Sequence, residues 1–251
     1  MSAFQDQVVV VTGASKGIGA AIAKHFGKAG AKVVVNYASD AAGAEKVVAD
    51  ITSGGGTAVA VQGSVAKEED VKRLFAEVRE RFGKIDVLVN NAGVYKFGAL
   101  ADVTGDDFEW MFGVNVRGLL LASREALPLF GESGGSIINI GSTVSTFAPP
   151  ETSIYAATKG AVDTITIVLS KELGPRKIRV NSINPGMVDT EGARTAGATT
   201  EDSEFRKQLE AMSPLGRIGT PDDIASAVLH LASSDSSWVT GERWAVSGGV
   251  R

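Results

Sequence analysis

Cysteine is absent from this 251-residue chain. Disulfides and thiolate-held metals are therefore excluded. Imidazole is scarce as well: His25 and His230 are the only two histidines, and each reads as a helix-surface residue before a metal ligand, so no metal site is expected. Neither sign of charge dominates. Lys and Arg number 25 against 29 Asp and Glu, a formal net charge of −4. No basic block stands out, so nucleic acid is not an expected partner. No apolar run approaches the ~18 residues of a membrane-spanning helix. The opening MSAFQDQVVVV lacks the charged-then-apolar pattern of a secretion signal. Internal repeats, low-complexity tracts and linkers are also missing. The expectation is a cytoplasmic protein with no membrane partner.

What is present suits a large soluble domain. Hydrophobic residues make up 44% and charged residues 22%, enough to bury a substantial core. The length fits one α/β domain spanning residues 1–251. Seven short apolar runs recur: 7–12, 32–37, 57–62, 85–91, 136–142, 178–184 and 242–248. Most are β-branched on consecutive positions, the pattern of strands buried on both faces. Between them lie amphipathic stretches. In 67–83, Val71, Leu74, Phe75 and Val78 recur at helical spacing, and Gly83 marks a stop. The stretch 221–233 opens with Pro221 and two acids, as a helix start does. Alternation at this pitch predicts right-handed βαβ units and a parallel, doubly wound sheet. Residues 187–213 are polar and irregular; they read as a substrate lid at one edge of the sheet.

Two stretches carry chemistry. The first strand runs into TGASKGIGAAIAKHF at 12–26. Gly13, Gly17 and Gly19 follow a GxxxGxG spacing, which differs from the GxGxxG dinucleotide fingerprint. Glycine there lets backbone N–H groups and a helix N-terminus approach a pyrophosphate; the plainer reading is an ordinary tight turn. After the second strand, Asn36-Tyr37-Ala38-Ser39 offers no acid before Asp40. An acid at that place would bond the ribose 2′-hydroxyl of NAD and repel a 2′-phosphate. Lys16 and Ser39 instead suit a 2′-phosphate, so NADP(H) is expected over NAD(H); a solvated surface lysine is the alternative for Lys16. The second stretch is SIYAATKGAVDT at 153–164. Tyr155 and Lys159 sit four apart, on one helical face. A fixed ammonium favours an ionised phenol. Bringing a tyrosine from ~10 to near 7 requires ~4 kcal/mol, which the cation and a bound cofactor can supply together.

In order and spacing, these pieces resemble the short-chain dehydrogenase/reductase family over essentially the whole chain. The resemblance rests on Thr12-Gly13…Gly17-x-Gly19, on Asn90-Asn91-Ala92-Gly93 after the fourth strand, and on Asn115. It continues through Ser142, Tyr155 and Lys159 to Asn184-Pro185-Gly186 with Thr190. It implies a Rossmann-type sheet of seven parallel strands in the order 3-2-1-4-5-6-7. It also implies hydride transfer between NADP(H) and an alcohol/carbonyl pair. Tyr155 is then the general acid, Ser142 a hydrogen-bond partner of the substrate oxygen, and Lys159 both a depressor of the phenol pKa and a ribose ligand. Asn115 holds a water in a relay. Cofactor contacts are implied for Gly13, Ser15, Lys16, Gly17, Ile18 and Gly19, and for Asn36, Tyr37, Ala38 and Ser39. Further ones are Asn91, Ala92 and Gly93, then Pro185, Gly186, Val188 and Thr190 over the nicotinamide. Ser64-Val65 stands where the family usually has Asp-Val against the adenine.

The substrate is less defined. Candidate wall residues are Val144, Pro149, Glu151 and Met187, with Tyr95 and Phe97 as an aromatic face; each serves equally as plain packing. A reductase of small ketones, alcohols or sugars is one expectation. Another is the 3-oxoacyl-[acyl-carrier-protein] reductase of fatty-acid synthesis, which much of the chain also resembles. Docking an acidic carrier protein requires cations, yet the segment 127–136 holds Glu132 and no Lys or Arg, leaving Lys171 alone nearby. A third expectation is a catalytically silent cofactor-binding regulator. The helix at 153–173 carries surplus apolar residues such as Ala157, Ala161 and Val168, and with the family's habit this predicts a homotetramer.

Overall fold

Valine runs build the centre of the molecule. The computed structural model describes residues 4–195 and 204–250. Its first strand, β1 (Val8–Val11), is buried along its whole length, as a strand covered on both faces must be. The elements then follow as α1 (Gly17–Lys28), β2 (Lys32–Tyr37), α2 (Ala41–Ser53), β3 (Thr57–Gln62), α3 (Glu68–Phe82) and β4 (Val87–Asn90). Next come α4 (Gly105–Phe112), a π-helical turn (Gly113–Gly118), α5 (Leu119–Ala126), β5 (Gly135–Ile140), α6 (Val144–Phe147) and α7 (Ser153–Leu173). The chain finishes with β6 (Ile178–Pro185), α8 (Glu191–Thr195), α9 (Glu204–Met212), α10 (Pro221–Ala232) and β7 (Arg243–Val246).

The seven strands form one sheet in the order β3-β2-β1-β4-β5-β6-β7. Every pairing is parallel. The pleat sends alternate residues to opposite faces. Val9 and Val11 join a core with Ile22 and Phe26 of α1, Val47 of α2, and Ile224 and Val228 of α10. Val8 and Val10 face the other way, onto Leu74, Phe75 and Val78 of α3 and Ala122 of α5. This is the expected doubly wound layering.

Helix ends follow the sequence signals. α3 has acids in its first turn and stops at Gly83, whose φ of 74° is left-handed. α10 starts with Pro221 behind a capping box of Thr220 and Asp223. Its far end is held by Arg179, whose guanidinium donates to the carbonyls of Leu231, Ala232 and Ser233. Among the described residues, no helix is long and apolar enough to cross a membrane.

Three local features differ from the sequence expectation. β5 stops at Ile140, so Ser142 lies in the turn beyond it. The π-helical turn at 113–118 interrupts an otherwise α-helical segment. The lid region contains α8 and α9 where an irregular segment is expected; its residues 196–203 lie outside the described residues. The turns that leave β1, β4, β5 and β6 all gather at the carboxyl edge of the sheet, where open α/β sheets place their ligands.

Candidate active site

The turn after β1 is fixed from below by side chains of its neighbours. Gly13 and Gly17 have φ of 61° and 56°, conformations that L side chains rarely adopt. A Cβ on Gly13 would lie 2.8 Å from the Ala92 Cα, and one on Gly19 would overlap the Asn91 amide. Asn91 Nδ2 donates to the carbonyls of Thr12 and Gly13, 2.9 Å each. Thr12 Oγ1 accepts from the backbone N–H of Asn91 and Ala92. The β1 and β4 turns are thereby stitched into one floor. α1 rises from that floor with no side-chain cap at Lys16 and no acid in its first turn. An uncapped helix N-terminus above close-packed glycines is a cradle for a phosphate. Ser15, Gly17 and Ile18 are partly buried around it, and Lys16 is exposed at its mouth.

At the end of β2 the predicted contacts divide. Asn36 is 1% exposed; its amide donates to the carbonyls of Val61 and Gly63 and its oxygen accepts from Gly13 N–H. Its side chain is thus a strut beneath the turn. Ala38 and Ser39 are exposed, and Tyr37 is partly buried. Asp40 caps α2, its carboxylate accepting from Gly43 N–H. On β3's side, Ser64 N–H donates to Asp70, and Val65 packs beneath the turn against Gly118.

Ser142, Tyr155 and Lys159 converge at the carboxyl edge of β5. Lys159 is 6% exposed and donates from Nζ to the Ile140 carbonyl at 2.8 Å. Its Nζ lies 5.8 Å from the centre of the Tyr155 ring. A Cβ on Gly93 would lie 3.7 Å from that Nζ, at ordinary van der Waals contact. Burial pulls Lys159 down to about 8, against a restoring pull from Asp163. Burial pushes the Tyr155 phenol up to about 12, with the Ser142 hydroxyl acting the other way. That direction is opposite to the one expected from the Tyr–Lys spacing. Loss of water around the phenol is the larger effect here and sets the direction. Asn115 sits in the π-helical turn, where its amide is paired with both backbone groups of Val94 and with Thr158 Oγ1. It holds the β4 turn against α7, and its side chain is committed to that.

Substrate access runs past aromatic rings. Tyr95 and Phe97 stack on each other with centroids 5.4 Å apart. Both face Tyr155, at 6.0 and 5.9 Å. Tyr95 and Phe97 remain 42% and 52% exposed, so their faces are open to a ligand. Glu151 is exposed, with φ of 67°, and its carbonyl accepts from Gly98 N–H. Pro149 accepts at its carbonyl from Thr152, while Val144 is buried and donates its N–H to Ser142 Oγ. Past β6, Gly186 packs on Ser247, and Thr190 on Gly17. Val188 is buried, paired with Gly219, and Met187 N-terminal to it is partly buried. A cavity of about 150 Å³ opens beside Phe97, lined among others by Lys96, Asp102, Met111 and Glu151.

A family model described as enoyl-(acyl carrier protein) reductase matches residues 13–251. An uncharacterized oxidoreductase of Methylorubrum extorquens is 53% identical, with both chains covered in full. The chain is a short-chain dehydrogenase/reductase. Among its relatives is versicolorin reductase stcU of Emericella nidulans, 39% identical over 97% of this chain and 95% of that protein. Solved short-chain dehydrogenase/reductase structures agree in fold. The angucycline C-6 ketoreductase LanV with bound NADP superposes with a TM-score of 0.92 at 38% identity, over 99% of this chain and 97% of that one. A Burkholderia cenocepacia short-chain dehydrogenase in complex with NADP gives 0.92 at 36% identity, over 99% of both.

A short-chain dehydrogenase/reductase uses a nicotinamide cofactor, and the residues present fit one. The glycine floor and the uncapped N-terminus of α1 would hold the cofactor's phosphates, and Gly93 and Lys159 lie next to each other beyond that floor. One buried group of this short-chain dehydrogenase/reductase was not singled out from sequence. Asp163 is 4% exposed and continues the Tyr155–Lys159 spacing by one more turn, a signal that the i, i+4 rule makes readable.

Proposed function

We propose that this short-chain dehydrogenase/reductase is an NADP(H)-dependent reductase of ketones to secondary alcohols. The observation that carries the reading is the Tyr155 phenol gathered with Ser142 and the buried Lys159 ammonium under the half-open aromatic wall of Tyr95 and Phe97. With its pKa raised to about 12, Tyr155 holds its proton throughout the neutral range and is poised to give it. Ser142 Oγ accepts from Val144 N–H and its hydroxyl hydrogen-bonds Tyr155, so one donor stands within reach of an oxygen placed between the two hydroxyls. When bound, the nicotinamide supplies a hydride. Ser142 donates to the carbonyl oxygen, and Tyr155 Oη transfers its proton to that oxygen as negative charge develops on it. Lys159 places a buried positive charge close by, which favours the tyrosinate left behind.

Preference for NADP(H) is supported by Asp40 being engaged at α2, by exposed Lys16 and Ser39, and by the NADP named in two similar structures. Stacked Tyr95 and Phe97 suit a flat, conjugated ketone; the name C-6 ketoreductase borne by a similar structure supports a ketone as the group reduced. The family description favours a second reading, reduction of an acyl chain carried as a thioester on a carrier protein, at its carbon–carbon double bond or its 3-oxo group. Glu132 and the absence of cations in 127–136 weigh against it. We propose a homotetramer on the exposed apolar side chains of Trp110, Leu120 and Val168; a monomeric mass in light scattering rejects it. Tyr155→Phe tests the chemistry: NADPH still binds, and ketone reduction falls by orders of magnitude. Retained turnover removes Tyr155 from the proton step.

A further inference from the structure

Three segments of the site meet at one buried carboxylate. Asp163 lies on α7, one turn beyond Lys159. Its Oδ2 accepts from Ser145 Oγ on α6 at 2.7 Å, and its Oδ1 accepts from Asn184 Nδ2 on β6 at 2.9 Å. The same Ser145 hydroxyl is 2.9 Å from the Ser142 carbonyl, so one proton is shared between the two acceptors. Asn184 Oδ1 in turn accepts from Ser182 Oγ at 2.6 Å. Gly141 passes directly over this pair, since a Cβ there would overlap the Asn184 side chain. The carboxylate thus joins α7, the Ser142 turn and the Asn184-Pro185-Gly186 corner. The groups it touches on α6 and β6 are neutral. On Lys159 the facing groups are the Ile140 carbonyl of β5, the Gly93 Cα and, on α7, Tyr155. Tyr95 is the further titratable group acting at Tyr155.

We propose that Asp163 is a positioning residue of this active site: its buried carboxylate keeps Lys159 cationic and clamps the Ser142 turn to the helix that carries Tyr155. This rests on the reading of Ser142, Tyr155 and Lys159 as the working site. The first half follows from burying an ammonium whose one hydrogen-bond partner is a carbonyl; a lone charge there is expensive, and a carboxylate one turn away offsets it. Asp163 is the one charged group acting on Lys159 among the described residues, and it acts to raise the ammonium's pKa. The second half follows from the Ser145 proton, which ties the carboxylate to the Ser142 backbone.

Asp163→Asn tests it. The variant is close to isosteric: its oxygen accepts from Asn184, and its N–H₂ donates to Ser145, which then donates to the Ser142 carbonyl. The clamp is kept and only the charge is lost. The first readout is Tm of the cofactor-free protein across the neutral and alkaline range. With Lys159 at about 8, below its unfolded value of ~10.4, the unfolded chain binds more protons in that window, and stability rises with pH through it. In Asp163→Asn the rise begins at a pH lower by about one unit or more. The second readout is the pH profile of kcat, whose alkaline decline moves down with it. Parallel Tm–pH curves and an unshifted kcat profile overturn the proposal. Where Asp163→Asn does not fold, Lys159→Met/Asp163→Asn decides. Recovery of folded protein supports the charge pairing, and continued failure assigns Asp163 to packing alone and overturns it. A failed catalytic reading shows separately, as an active Tyr155→Phe enzyme, because the Tm readout uses no turnover.

Discussion

Replacing Gly19 by alanine puts two opposed effects at one position. In a helix interior, alanine ordinarily gains about 1 kcal/mol over glycine. At Gly19 the new Cβ would overlap the Asn91 amide and the Gly13 carbonyl oxygen, and would lie 3.0 Å from the Ala14 Cα. Backbone atoms cannot swing away, so overpacking costs about 1–3 kcal/mol. Asn91 can withdraw only by giving up its bonds to the Thr12 and Gly13 carbonyls, at about 1 kcal/mol each. The clash wins, with a net loss of about 2–4 kcal/mol. For a chain of this size that lowers Tm by roughly 5–15 °C. NADPH affinity should fall as well, because the same atoms form the floor of the phosphate cradle. Gly160 of α7 is the control: a Cβ there meets no atom within 4 Å, so alanine should gain up to about 1 kcal/mol. Thermal unfolding and a fluorescence titration with NADPH read both variants. The reasoning is refuted if Gly19→Ala unfolds within about 2 °C of the parent and binds NADPH unchanged.

Arg179→Met strips the cap from the carbonyl end of α10 and leaves the carbonyls of Leu231, Ala232 and Ser233 without their cation; a loss of about 3 kcal/mol is expected in denaturant unfolding. Asp223 is held well below the ordinary carboxylate range by the Arg217 guanidinium and the Thr220 cap. Its stabilisation is present above the unfolded carboxylate pKa and is lost as pH falls below it. Asp223→Asn should therefore cost about 1 kcal/mol at neutral pH and show a shallower acid limb of Tm against pH. Lys16→Ala should raise KM for NADPH while leaving KM for NADH nearly unchanged; equal effects on both would detach Lys16 from the 2′-phosphate.

The fold was legible because its signals are local. Strands such as Val8–Val11 and Lys32–Tyr37 sit where the β-branched runs place them, and Gly83 and Pro221 stop and start helices by fixed backbone rules. The π-helical turn left no trace in the apolar period; within it Asn115 bonds to Val94 and Thr158, distant in sequence. α8 is too short to show a period, whereas α9, EFRKQLEAM, is built of strong helix formers and was readable as a helix. In the site, the Tyr155–Lys159 spacing was readable and its electrostatics were not. Burial decides the direction for both groups, and burial belongs to the whole fold. Asn36 shows the same limit. Its position beside the predicted cofactor path was visible, but its engagement with Val61 and Gly63 depends on strand β3, which sequence reading does not align.

The most direct measurement is NADPH oxidation against a panel of a flat aromatic ketone, a simple ketone, a ketose, an aldehyde, a 3-oxoacyl thioester and an enoyl thioester, with Tyr155→Phe beside the parent. The account predicts turnover of free ketones, strongest for the aromatic one, and its loss in Tyr155→Phe. Preference for either thioester, or turnover that survives the tyrosine substitution, contradicts it.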